Sequence, residues 1–176
     1  MTNALNASDR TGVAGSGAMD AVTTGEPLDP QALAEAVAET MYARDPAVRA
    51  LGMQIAEVRP GYARVTMKVR ADMLNGHGLC HGGLIFTVAD SAFAYACNNR
   101  NQNTVASGCT IDFLAPGRPG DLLCAEAMEQ SLAGRTGIYD ITVTNQEGRR
   151  IALFRGRSHR IQGEVIPASP SQSQTG

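Results

Sequence analysis

One carboxylate stands alone in the most apolar part of this 176-residue chain: between Gly82 and Asn99, in "GGLIFTVADSAFAYACNN", Asp90 is the only charged side chain. Burying an ionised carboxylate without partners is costly, so Asp90 needs hydrogen-bond donors or a solvent-filled cleft. It serves either architecture, satisfied by those donors, or chemistry. If the helix starts near Gly82, Asp90 lies about two turns inside, too deep to be an N-cap. A titratable group in an apolar wall is where perturbed acidity and function coincide, and the balance favours chemistry. Such a wall raises the pKa of a carboxylate towards neutrality and makes it a better base.

Just upstream, "HGG" at residues 81–83 has a plain reading as a helix-start turn whose glycines take up strained backbone angles. A glycine-opened helix start also leaves backbone N–H groups pointing outward with the positive end of the dipole behind them. Such a site holds an anion or an oxyanion. Gly82 and Asp90 are separated by about 12 Å along one helix, too far for a single carbonyl to meet both. They can cooperate only if a second copy of the chain faces the first, so this reading implies a dimer.

Two further groups compete for attention. "HGLCH" places His77, Cys80 and His81 within five residues. Zinc, however, takes its ligands from better-separated positions, and neither a metal nor a cofactor is expected. In "RRIALFRGRSHR", Arg155, Arg157 and His159 alternate onto one strand face, with Arg149 and Arg150 at its start. That face reads equally as a solvated surface or as a patch for the phosphates of an anionic ligand. No phosphate-cradling glycine loop and no Ser-His-Asp spacing is present.

The elements that must position these groups follow from periodicity. In "LDPQALAEAVAETMYARD", Leu33, Val37 and Met41 recur four apart beside Ala34, an amphipathic helix with Asp29 as N-cap and Pro30 at its first position. "MQIAEVRPGYARVTMKVR" alternates and breaks at "RPGY", which predicts two strands around a turn. There Ala63, Val65, Met67 and Val69 share one face, and Arg64, Thr66, Lys68 and Arg70 the other. The Asp90 segment is hydrophobic nearly all round, hence a helix buried on most sides, with Asn98 and Asn99 suiting its end. Four strands follow, in "TVASGCTIDFLAP", "DLLCAEAMEQSL", "TGIYDITVTN" and "RRIALFRGRSHRI". The intervening "GRPG", "AGRT" and "QEGR" are turn chemistry at hairpin spacing, which predicts a meander. The order is that of an α+β protein whose curved antiparallel sheet wraps one central helix.

Composition bounds the rest. A net charge of -2 argues against general nucleic-acid binding. No apolar run approaches the roughly 18 residues of a membrane-spanning helix, and residues 1–27 lack the pattern of a secretory signal, so a soluble cytoplasmic protein without membrane contact is expected. Cys80, Cys97, Cys109 and Cys124 contain no CxxC pair and read as free thiols. Residues 1–27 and 164–176 read as flexible tails around one domain at 28–163.

The string "NGHGLCHGG…FTVADSAFAYACN", followed by "ASGCTIDFLAPGRPGD" and "ALFRGRSHRI", resembles the hotdog-fold acyl-CoA thioesterases over residues 36–163, and within them the phenylacetate-degradation (PaaI-type) branch. The resemblance implies the sheet-around-helix fold, an acyl-CoA substrate, and a dimer with shared active sites that doubles into a homotetramer. It puts the family's acidic residue on Asp90, as general base for water or as a nucleophile forming a mixed anhydride. It puts the polarising N–H on Gly82, with Gly83 permitting the turn, the orienting polar residue on Asn75, and a group beside the thioester on His81. On the phosphate-patch reading of the last strand, Arg155 and Arg157 are the substrate-binding cations. Hydrolysis of phenylacetyl-CoA or hydroxyphenylacetyl-CoA is the implied reaction. The alternatives are an enoyl-CoA hydratase or dehydratase, whose Asp-His motif the "HGG…AD" layout does not match, and a non-catalytic acyl-CoA-binding protein, which could dispense with Asp90.

Overall fold

The computed structural model describes residues 29–167. Helix α1 (Pro30–Arg44) starts as its sequence predicts: the Asp29 carboxylate accepts from the N–H groups of Gln31 and Ala32, and Pro30 fills the first position. Its buried face is Ala34, Val37 and Ala38, with Leu33 and Met41 half-buried at the margin. Asp45 ends α1 and caps a short helix that periodicity does not announce, α2 (Pro46–Ala50), accepting from the Val48 N–H at 3.0 Å.

Strands β1 (Gln54–Arg59) and β2 (Tyr62–Lys68) form the predicted hairpin, turning at Gly61 with φ +75°. Ala63, Val65 and Met67 are fully buried on its inner face. The long helix α3 (Gly82–Asn98) follows, then β3 (Thr104–Phe113), β4 (Leu122–Ala133), β5 (Thr136–Thr144) and β6 (Arg150–Arg160). All six strands pair antiparallel in the order β1-β2-β4-β5-β6-β3. This is the hotdog fold, α+β in class, with α3 across the inner face of the sheet.

The expected four-strand meander holds only for β4, β5 and β6. β3 does not pair with β4 across "GRPG"; it crosses to the far edge beside β6, and β2 takes the place next to β4. The reason is the helix. A segment apolar nearly all round must be covered on both flanks, so the chain leaving α3 builds the edge on one side and returns beneath the helix start. The returning loop is held there by the Cys80 N–H on Gly117 O at 2.9 Å, the Val69 N–H on Asp121 O at 2.8 Å, and the Arg118 N–H on the Asp121 carboxylate at 2.7 Å.

Two asparagines fix the far end of α3. Asn99 accepts from the Gly61 N–H at 3.0 Å and donates to the carbonyls of Arg59 and Tyr62. Asn98 accepts from the Thr104 N–H at 2.8 Å and donates back to its carbonyl at 3.0 Å. Along the helix before them, Ile85, Val88, Ala89, Ala92, Phe93 and Ala96 are buried in the core. The Phe93 ring lies so close to Gly156 that a Cβ there would stand 2.9 Å from it.

Packing continues beyond residue 163, where the domain was expected to end. Val165 is buried and its carbonyl accepts from Arg44 at 3.1 Å, while Ile166 exchanges two hydrogen bonds with Asn101. The tail expected at 1–27, and 168–176 of the second, lie outside the described residues. Among the described residues no helix is long and apolar enough to cross a membrane.

Candidate active site

The loop before α3 is closed by a bridge between Leu74 and Cys80. Inside it, Asn75 Oδ1 accepts from the N–H groups of His77 at 2.9 Å and Leu79 at 3.3 Å. The oxygen is spent on the loop. Asn75 Nδ2 has no partner among the described residues, and Asn75 borders a cleft of about 360 Å³ together with Gly82, Ile85, Phe113 and Pro116. What Asn75 can offer a ligand is a donor.

His81 is the N-cap of α3, a role its residue type does not advertise. Its Nδ1 accepts from the Gly83 N–H at 3.0 Å, and its carbonyl accepts from the N–H groups of Leu84 and Ile85 at 2.9 and 3.3 Å. The neutral imidazole then carries its proton on Nε2, so the ring can donate outward but not accept. Of the first N–H groups of the helix, that of Gly82 is left with no acceptor among the described residues.

The glycines are not strained, contrary to the turn reading. Neither Gly82 nor Gly83 has a positive φ. They are there for space: a Cβ on Gly82 would stand 3.2 Å from the Phe113 ring, and one on Gly83 would stand 3.2 Å from His81 Nδ1.

Asp90 is half-buried and receives no hydrogen bond from any described residue. Burial pushes its carboxyl above the ordinary carboxylate range. Its charge reaches two thiols that burial already raises, Cys97 (pushed up to about 12) and Cys109. Cys109 pairs with Gly156 on the helix-facing side of β3, so Asp90 lies along the flank between α3 and that edge strand. Gly82 and Asp90 remain two turns apart on α3.

The other groups separate clearly. His77, Cys80 and His81 do not converge: His77 is exposed, Cys80 is buried against Gly117, and His81 caps the helix. Arg155, Arg157 and His159 share the exposed outer face of β6, as the alternation predicts. Arg155 is already held by Asp140 through Nε at 2.6 Å and Nη2 at 2.7 Å, which in turn lowers the Asp140 carboxyl. Arg157 makes no ion pair among the described residues, and its guanidinium lies over Gly108 of β3, with Nη2 3.0 Å from where a Cβ would be.

The cleft wall formed by Phe113 and Leu114 was not anticipated. Its signal was available: two large apolar residues in succession break the strand alternation, and both are half exposed, at 53% and 52%.

The Thioesterase superfamily model matches residues 77–152, a span holding His81, Gly82, Gly83 and Asp90 but not Asn75, Arg155 or Arg157. The chain is 52% identical over 128 residues to the acyl-coenzyme A thioesterase PaaI of Escherichia coli strain K12, covering 73% of this chain and 91% of that protein. The solved E. coli PaaI protein, from the phenylacetic acid degradation operon, matches with a TM-score of 0.76 at 50% identity, over 77% of this chain and 99% of that one. A hypothetical thioesterase of Streptococcus pneumoniae TIGR4, solved with coenzyme A, matches with a TM-score of 0.61 at 28% identity, over 64% of this chain and 90% of that one. The chain thus belongs to the thioesterase superfamily, in its hotdog form, and is an acyl-CoA thioester hydrolase.

Proposed function

We propose that the chain hydrolyses arylacetyl-CoA thioesters, phenylacetyl-CoA and its ring-hydroxylated relatives, at sites shared between two copies. The observation that carries this is the pair of unspent groups on α3: an N–H without an acceptor at Gly82 and a carboxylate without a donor at Asp90. Similarity to the PaaI protein of the phenylacetic acid degradation operon supports the arylacetyl class.

In this reading the thioester oxygen accepts from the Gly82 N–H of one copy, which stabilises the oxyanion as it forms. The partner's Asp90 takes a proton from water as the water oxygen bonds to the carbonyl carbon. The C–S bond then breaks, and the same proton passes to the departing CoA sulfur. In the covalent variant the carboxylate itself attacks and the mixed anhydride is hydrolysed in a second step. Asn75 Nδ2 orients the water or the carboxylate, and His81 Nε2–H faces the thioester. Gly83 leaves room for His81.

The edge strand β3 supports the shared site. Gly82 touches Phe113, Asp90 lies near Cys109, and these two positions are four apart on the same face of β3. Two β3 edges pairing antiparallel about Ile111 bring Phe113 opposite the partner's Cys109, and Gly82 towards the partner's Asp90. The strand has a free backbone edge flanked by exposed Val105 and Phe113, which such pairing covers. Exposed Leu122, Met128 and Leu153 on the outer face of the sheet support the joining of two dimers into a homotetramer.

The test is complementation. Gly82→Pro removes the N–H at a first helical position, where proline suits the backbone but its Cβ crowds the Phe113 ring, and Asp90→Asn removes the base. Each variant alone is expected to be nearly inactive. Unfolding and refolding the two together restores one intact site per mixed dimer, about a quarter of wild-type activity for random pairing. No recovery in mixed dimers refutes the shared site.

A further inference from the structure

We infer that the acyl group of the substrate seats in the cleft beside Gly82, and that Phe113 sets its specificity by presenting a ring face to an aromatic acyl group. The inference rests on the arylacetyl-CoA reading and adds to it the residue that selects the acyl group.

A thioester oxygen held at the Gly82 N–H has this cleft of about 360 Å³ next to it, a size within the range of small-molecule sites. Leu79, Cys80, Ile85, Phe113, Leu114 and Pro116 form its walls, and its lining side chains carry no charge. Clefts elsewhere do carry charge. Glu35, Glu39 and Glu57 line one between α1 and β1, and Asp112, Asp140 and Arg155 line one on the outer face of the sheet. Cys80 does not break the pattern. Burial pushes its thiol up to about 11, so it stays protonated and is no rival nucleophile for the thioester beside it. An apolar acyl group leaves water here without uncovering a charge, whereas the amide-rich arm of CoA would leave polar groups unpaired.

Phe113 is the aromatic residue of that wall. Its ring points end-on at the helix start: a Cβ on Gly82 would stand 3.2 Å from Cζ and 3.5 and 3.7 Å from the two Cε atoms. The tip of the ring meets Gly82 and its faces stay open, in keeping with a side chain half exposed. A second ring pairs with such a surface offset or edge-to-face, and gains more than its buried area alone gives. The wall is also held in place. The N–H groups of Leu114 and Ala115 share Ile151 O at 2.9 and 3.2 Å, and that of Cys80 donates to Gly117 O at 2.9 Å. A rigid ring enters a preformed slot with less loss of conformational freedom than a flexible chain does. When two β3 edges pair about Ile111, the partner's Cys109 and the partner's Asp90 come up beside Phe113, so the selecting ring adjoins the bond that is cut.

The experiment measures kcat/KM for phenylacetyl-CoA, hexanoyl-CoA and acetyl-CoA. Phe113→Ala is expected to lower the phenylacetyl-to-hexanoyl ratio about tenfold, the upper range for one aromatic pair, and Phe113→Tyr to retain it. Leu132→Ala, which removes an exposed leucine outside the cleft, is expected to keep the wild-type ratio. Lost assembly or stability lowers the rates with all esters together and leaves the ratio as it was. An unchanged ratio in Phe113→Ala, or an equal fall in Leu132→Ala, therefore overturns the assignment. Leu114→Trp fills the cleft from its exposed side and separates this failure from that of the arylacetyl reading. A fall of at least tenfold for phenylacetyl- and hexanoyl-CoA relative to acetyl-CoA supports the acyl seat even if the wild type proves a poor arylacetyl hydrolase. An equal effect on all three esters overturns it.

Discussion

Asp90→Asn is the substitution that best divides chemistry from architecture. The two side chains are nearly isosteric, and no described residue donates to the carboxylate, so the exchange breaks no hydrogen bond that the structure contains. What it removes is the proton acceptor. Positioned general bases contribute about 10²–10⁴ in rate, or about 3–5 kcal/mol of barrier. Thiol release from phenylacetyl-CoA should fall by that factor, in kcat more than in KM. Stability should move the other way. Burial holds the Asp90 carboxyl above its unfolded value, so the native state binds the proton more tightly than the unfolded chain does. The contribution of Asp90 is therefore most favourable at acid pH and falls as pH rises from the unfolded carboxylate range, about 4, through the raised native value. Asparagine carries no charge to desolvate, so the variant should melt at or above the wild-type Tm at pH 7, with the two curves converging in acid. The wild-type rate should show an acid limb above the ordinary carboxylate range, absent from the residual rate of the variant. Undiminished thiol release refutes the assignment. Lost activity accompanied by a lower Tm at pH 7 returns Asp90 to an architectural role.

Asn75→Asp keeps the oxygen that accepts from His77 and Leu79 and removes the free Nδ2 donor. It should lower kcat about tenfold, the worth of about one hydrogen bond, with Tm unchanged; full activity would remove Asn75 from the site. Gly156→Ala puts a methyl 2.9 Å from the Phe93 ring in the core beneath the sheet. Overpacking of this kind costs about 1–3 kcal/mol, measurable by urea denaturation, and an unchanged midpoint would show that the ring can retreat.

What could be read from the residues, and what could not, divides by the range of the interactions. The cap at Asp29, the turn at Gly61, the inner face of β2 and the length of α3 are local patterns, and each stands in the structure where periodicity puts it. The place of β3 is not local. "GRPG" has the same chemistry as the two loops that do close hairpins, and only the need to cover both flanks of α3 sends its strands to opposite parts of the sheet. The three arginine and histidine positions on β6 look alike in sequence. Arg155 is distinguished by Asp140, fifteen residues earlier, which becomes its neighbour only through the β5–β6 register.

The candidate site shows the same division on a smaller scale. Asp90 and the glycines were visible as types at a spacing, but their working atoms were not. His81 is committed through Nδ1 to capping the helix, and Asn75 through its oxygen to closing its loop. Each thereby presents a donor and no acceptor, next to the unspent Gly82 N–H. The side chains at the helix start thus offer donors, and Asp90, a carboxylate without a donor among the described residues, stands two turns away. Donors around a carbonyl oxygen and a base for the attacking water are the two halves of thioester hydrolysis. Their separation along one rigid helix is the gap that the proposed pairing of two chains closes.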